Sequence, residues 1–107
     1  MTGTADGQTT TIPSDFQTFI GQEPFDTIND PTASNDTIFT YQQGDGHAVV
    51  NIGTGTGNTV TAHTFDTVTF AAADGTIEEF QGHDNAYNLG DGDYAVTLGR
   101  NDTLTAG

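Results

Sequence analysis

The stretch Gly44-Asp45-Gly46-His47-Ala48-Val49-Val50-Asn51-Ile52-Gly53 returns later in the chain as Gly90-Asp91-Gly92-Asp93-Tyr94-Ala95-Val96-Thr97-Leu98-Gly99. Each copy opens on a Gly-Asp-Gly turn, runs into a short β-favouring segment and closes on glycine. Asp and Gly supply turns, whereas Val and Thr suit strands. The flanking residues repeat as well. Asn58-Thr59-Val60-Thr61-Ala62 matches Asp102-Thr103-Leu104-Thr105-Ala106, and Phe25-Asp26-Thr27-Ile28 matches Phe65-Asp66-Thr67-Val68. Thr37-Ile38-Phe39-Thr40-Tyr41-Gln42 recurs as Thr76-Ile77-Glu78-Glu79-Phe80-Gln81. Residues 25–62 and 65–106 therefore read as two copies of one unit. The second has gained a strand and a turn near His83 to Leu89 and lost two residues in the Gly99 to Asn101 turn.

Small β-favouring triplets, centred on Ile28, Ile38, Val50, Val60, Val68, Ile77, Tyr87, Val96 and Leu104, recur every 8 to 12 residues. Gly, Asp and Asn clusters separate them, too often for helices. One strand plus one turn makes half a coil, and coils stack at the strand spacing of about 4.8 Å with their strands parallel. The expected fold is all-β: a right-handed parallel β-solenoid, β-roll-like, of about 4–5 short coils. In each triplet the middle side chain points inward and its neighbours outward. Residues 25–107 form this repeat domain, and residues 1–24 form an N-terminal cap or docking segment. Within that segment Ser14 and Gln17 have the spacing of a capping box, and Phe16, Phe19 and Ile20 share a helical face that ends at Gly21. A short helix is expected there.

The chain has 107 residues, 15 acids, one Arg and no Lys, for a net charge of −14. One domain fits that length. Nothing basic exists to neutralise phosphates, which excludes an electrostatic nucleic-acid binder, and no apolar run approaches a membrane span, so insertion is excluded. Without cysteine there is neither a disulfide framework nor a thiol nucleophile. Seven Phe and three Tyr, regularly placed, argue against disorder. The start MTGTADGQTTT lacks the pattern of a secretory leader, so export would use another route or a signal outside this stretch.

Stacked acidic turns need counter-charge. Gly-rich turns expose carbonyls and Asp adds carboxylates, an all-oxygen set suited to Ca²⁺, which takes about 6–8 oxygens. The candidate ligands are Asp45, Asn58, Asp66, Asp91, Asp93 and Asp102, with the turn glycines Gly44, Gly46, Gly90 and Gly92. Gly90-Asp91-Gly92-Asp93 and Leu98 to Gly107 resemble the RTX, or haemolysin-type, calcium-binding nonapeptide repeat G-G-x-G-x-D-x-U-x. That resemblance implies a parallel β-roll in which Ca²⁺ is shared between neighbouring turns, and a protein that works outside the cell or on its surface.

The residues do not suggest an enzyme. Ser14 and Ser34 lie in a capping signal and a Pro/Asn loop, and His47, His63 and His83 have no short fixed spacing. The expectation is a non-enzymatic extracellular calcium-binding protein with a structural role in a surface, a matrix or an adhesin. The alternative is a fibre subunit that stacks end to end on copies of itself. Less favoured are a polysaccharide-acting module and an ice binder. Thr59-x-Thr61, Thr67-x-Thr69 and Thr103-x-Thr105 resemble the flat threonine array of ice-binding β-solenoids, but Asn29, Phe39 and Glu78 take the matching place in other triplets.

Overall fold

The computed structural model describes residues 2–3, 7–71 and 74–106. Positions 1 and 4–6 of the N-terminal segment, and 72, 73 and 107 of the repeat region, lie outside the described residues. The strands are β1 (Thr2–Gly3), β2 (Thr9–Thr11), β3 (Thr18–Gly21), β4 (Thr27–Asp30), β5 (Thr37–Phe39) and β6 (Val49–Ile52). They continue as β7 (Asn58–Thr64), β8 (Thr67–Phe70), β9 (Gly75–His83), β10 (Ala86–Leu89), β11 (Tyr94–Val96) and β12 (Thr103–Ala106). No helix occurs among the described residues.

The strands alternate between two six-stranded sheets, one of odd-numbered and one of even-numbered strands. Every pairing is parallel. This is a β-solenoid of about five turns, each coil being one even strand and the odd strand that follows it. Each triplet centre named above lies in its own strand, β4 to β12. The register stacks Ile28, Val50, Val68 and Tyr87 in the even sheet, and Phe19, Ile38, Val60 and Ile77 in the odd sheet. All eight are fully buried. The core is one pair of side chains deep, and the molecule is accordingly thin, 31 × 30 × 17 Å.

The repeated decapeptide lands on opposite sheets: Val50 is in β6 of the even sheet and Val96 in β11 of the odd. The cause is the strand-plus-turn gained near His83 to Leu89, which is β10. An extra half-coil exchanges the sheets for everything after it. The same peptide serves either sheet because both ask for one inward aliphatic residue between two outward ones.

The short helix expected after Ser14 does not form. Phe16 has φ 60 and is exposed, and Thr18–Gly21 is the strand β3, whose Phe19 turns inward beside Ile38. Phe16, Phe19 and Ile20 fit one face of a helix, but a left-handed residue at 16 cannot begin one. Pairing with β5 on one side, and with β1 at Ile20 and Gly21 on the other, then gives the backbone its ladder partners. Residues 9–21 thus make a coil of the solenoid, β2 pairing with β4 and β3 with β5.

Close stacking of turns explains two glycines. A Cβ at Gly53 would lie 1.9 Å from the Pro31 carbonyl oxygen, and one at Gly90 would lie 1.7 Å from that of Ala71. Truncation of one central core side chain, Ile77→Ala, should cost about 2–5 kcal/mol of stability, measured by urea unfolding followed by circular dichroism.

Candidate functional site

Chemistry-bearing residues gather at the two edges of the solenoid and on the outward face of the even sheet. The edges come first, because they hold the acids.

At the edge where odd strands turn into even ones, a residue with positive φ is followed by an Asx residue and then by the strand. Phe25, Phe65, Asp84 and Asn101 have φ between 58 and 64 and precede Asp26, Asp66, Asn85 and Asp102. Each Asx oxygen accepts the backbone N–H at the equivalent place one coil earlier. Gln8 N donates to Asp26 Oδ1 (2.9 Å), Ala48 N to Asp66 Oδ1 (2.9 Å), Asp66 N to Asn85 Oδ1 (2.7 Å) and Asn85 N to Asp102 Oδ1 (2.8 Å). The opposite edge has the same device: Gln17 N donates to Asp36 Oδ1 (2.6 Å) and Asp36 N to Asn58 Oδ1 (2.8 Å). Turn N–H groups that strand pairing leaves over are thereby satisfied.

Asp66 is 1 % exposed, and its second oxygen receives the Thr40 hydroxyl (2.6 Å) and the His63 N–H (3.0 Å). Burial pushes its carboxyl above the ordinary range, against the pull of those three donors. Phe25, His47 and Phe65 stack over this edge with centroids 5.0 and 5.1 Å apart and planes within 4°, and His83 meets Phe65 edge-on. His47, which also has positive φ, is therefore part of an aromatic column, while His83 Nδ1 lies 2.6 Å from Asp84 Oδ2. A second acidic cluster sits one coil on. Glu79 Oε1 accepts from Asn85 Nδ2 and from the Tyr87 hydroxyl, and Oε2 accepts from Gly99 N. Burial alone would raise Glu79, but these hydrogen bonds and that of Asp102 hold it below the usual value. Burial, and then Glu79, push Asp102 up to about 6 and raise Tyr87 also.

The residues expected to bind Ca²⁺ are divided between the two edges. Gly44, Asp45, Gly46, Asp66 and Asp102 belong to one edge, and Asn58, Gly90, Asp91, Gly92 and Asp93 to the other. Asn58 is buried, with Oδ1 on Asp36 N and Nδ2 on Ala33 O, and Asp66 spends both oxygens on protein donors. Asp45, Asp91 and Asp93 are exposed, with Asp93 N bonded to Asp74 Oδ1. Among the described residues no group of three or more His, Asp or Glu side chains converges on one point. Asp66 and Asp102, expected as cation ligands in acidic turns, each accept a backbone N–H from the strand entry one coil earlier.

The even sheet presents a different surface. Its outward residues form two ranks: Thr9, Thr27, Val49, Thr67, Ala86 and Thr103, and beside them Thr11, Asn29, Asn51, Thr69, Asn88 and Thr105. Although the chain holds 15 acids, none takes an outward place on this sheet. Asn51 Nδ2 donates to Asn29 Oδ1 (2.9 Å) and Asn88 Nδ2 reaches Thr69 Oγ1 (3.5 Å), so amides are tied along the second rank. Two of the three interruptions expected in the threonine array are removed by the topology, and Asn29 remains. Phe39 and Glu78 belong to the odd sheet, together with Thr59 and Thr61, whereas Thr67-x-Thr69, Thr103-x-Thr105 and Thr27-x-Asn29 share the even one. Alternate triplets belong to different faces, a sorting that emerges only once the coil is closed.

No protein-family model, no curated protein and no solved structure matches the chain.

Replacing Asp66 tests the edge ladder. In Asp66→Asn the amide still accepts from Ala48 N, but its NH₂ group faces the His63 N–H, and we expect a loss of about 1–3 kcal/mol. Asp66→Ala should lose more, because it strips the acceptor from all three donors. Thermal unfolding by circular dichroism measures both.

Proposed function

We propose that the protein is a non-enzymatic β-solenoid whose working part is the flat Thr/Asn face of the even sheet, and that this face binds ice. The observation that carries the reading is the pair of in-register, uncharged ranks running over six strands on a chain of net charge −14.

The physical argument concerns what a crystalline water surface demands. Ice offers a two-dimensional lattice of water oxygens rather than a single ligand. A hydroxyl that leaves liquid water for ice gains little, since its hydrogen bonds are merely exchanged. Binding therefore requires many weak contacts in register at once, on a surface that does not have to be ordered first. The even sheet supplies both conditions. Its repeat is roughly 4.8 Å from coil to coil and roughly 6.6 Å from rank to rank. Thr and Val are stiff at χ1, which holds methyl and hydroxyl groups in repeating positions. Asn29 and Asn51 are fixed by their mutual hydrogen bond. A charged side chain would hold its own hydration shell in a geometry unlike ice, and the acids are kept to the edges, the interior and the odd sheet, where Glu78 points outward.

Ice-affinity partitioning and thermal hysteresis test the reading. The wild-type chain should shape growing ice crystals and lower their growth temperature. Thr67→Tyr and Asn51→Lys should abolish this with an unchanged circular dichroism spectrum, while Thr37→Lys on the odd sheet should retain it. Equal activity in all variants, or none in the wild type, would sink the proposal.

A further inference from the structure

One inward place of the even sheet is occupied by an acid. Asp30 shares its column with Ile52, Phe70 and Leu89. It is 0 % exposed, neither of its oxygens makes a full hydrogen bond to a protein donor, and the one N–H that acts on its carboxyl is the backbone N–H of Ala33. Its carboxyl lies within hydrogen-bonding reach of Asp36, which is also 0 % exposed. Asp36 Oδ1 accepts the Gln17 N–H, whereas Asp36 Oδ2 is buried without a partner. Three buried carboxyl oxygens, two of Asp30 and one of Asp36, are thus left without a full hydrogen bond.

Both groups cannot be ionised there. Two carboxylates out of water repel each other and each forfeits its hydration. No cationic side chain relieves them: the chain has no Lys, and its one Arg, Arg100, is exposed in the turn between β11 and β12. The other charged group acting on Asp30 is Asp15, another acid, and the residues of its own column are apolar. A divalent cation is a poor occupant, because three free oxygens fall well short of the six to eight that Ca²⁺ takes, and full burial keeps water from completing the set.

We propose that Asp30 and Asp36 share one proton in the folded chain: the Asp30 O–H donates to Asp36 Oδ2, and the pair carries one negative charge instead of two. The proton is placed on Asp30 because that carboxyl stands in an apolar column with Ile52, Phe70 and Leu89. The arrangement makes the solenoid sensitive to pH from within. Burial first, and then Asp36, push Asp30 from 3.8 up to about 7. The folded chain therefore binds more protons than the unfolded one between those values. The stabilisation is complete below the unfolded value and is lost as pH rises through the folded one.

The test uses thermal unfolding of the full chain from pH 5 to 8 in excess EGTA or in Ca²⁺, with infrared spectra of the carboxyl C=O band at pH 6. Asp30→Asn supplies a permanent donor to Asp36 Oδ2. Its melting temperature should exceed that of the wild type at pH 8 and change less with pH, and the protonated-carboxyl band should weaken. The surface control Asp91→Asn should keep the wild-type slope and band. Asp36→Asn, whose oxygen still accepts from Gln17 N and whose amide donates to Asp30, provides a second reading should Asp30→Asn not fold. A wild-type slope and band retained in both variants would overturn the proposal. So would a rise in melting temperature with Ca²⁺ at pH 8 in the wild type alone, which would place a cation between the two carboxyls.

Discussion

Most coils are tied to the next by one recurring hydrogen bond, from a backbone N–H at the start of a strand to the side-chain oxygen of the Asx residue one coil later. Parallel pairing satisfies the strands but leaves the N–H of the residue that enters each strand without a ladder partner. Asp26, Asp66, Asn85 and Asp102 on one edge, and Asp36 and Asn58 on the other, supply the missing acceptors. Because an Asx side chain has a fixed reach, the bond also sets the height of one coil above the next. Residues with positive φ before it, such as Phe25 and Phe65, aim the strand away from the turn. Such a conformation is costly for a bulky side chain, and the Phe25–His47–Phe65 stack returns some of that cost while covering the ladder from water.

The ladder also accounts for where the charge goes. A chain with one Arg and no Lys cannot pair its interior acids with side-chain cations. It uses backbone N–H groups instead, as at Asp66, or a hydroxyl, as Thr40 does for the same carboxylate. At Asp30, whose oxygens make no full hydrogen bond, the proton proposed above takes that place. With the other acids confined to turns and the odd sheet, the even face is left neutral and regular, a division of labour between edge and face that a periodic fold repeats at every coil.

Much of this was legible in the sequence. The triplets centred on Ile28 through Leu104 located nine strands and their inward residues, because a period-two pattern between turn clusters has few other physical solutions. Residues 9–21 were harder. In β2 the inward place is taken by Thr10 rather than an aliphatic residue, and Phe16, Phe19 and Ile20 coincide with helical spacing. The partition into two faces was hidden too, since adjacent triplets look alike and only the closed coil separates Phe39 and Glu78 from the Thr67 and Thr69 face. The role of the acids was ambiguous for a chemical reason: an Asp placed before a strand can accept a cation or an N–H, and the choice is made by what the neighbouring coil presents.

The ladder can be observed directly through scalar coupling across its hydrogen bonds. In a uniformly labelled sample, NMR should detect coupling from the backbone nitrogens of Ala48, Asp66 and Asn85 to the side-chain carbonyl carbons of Asp66, Asn85 and Asp102 respectively. These amides should also exchange with solvent as slowly as those of the buried strands. Absent couplings, with exchange at the rate of exposed turns, would contradict the account.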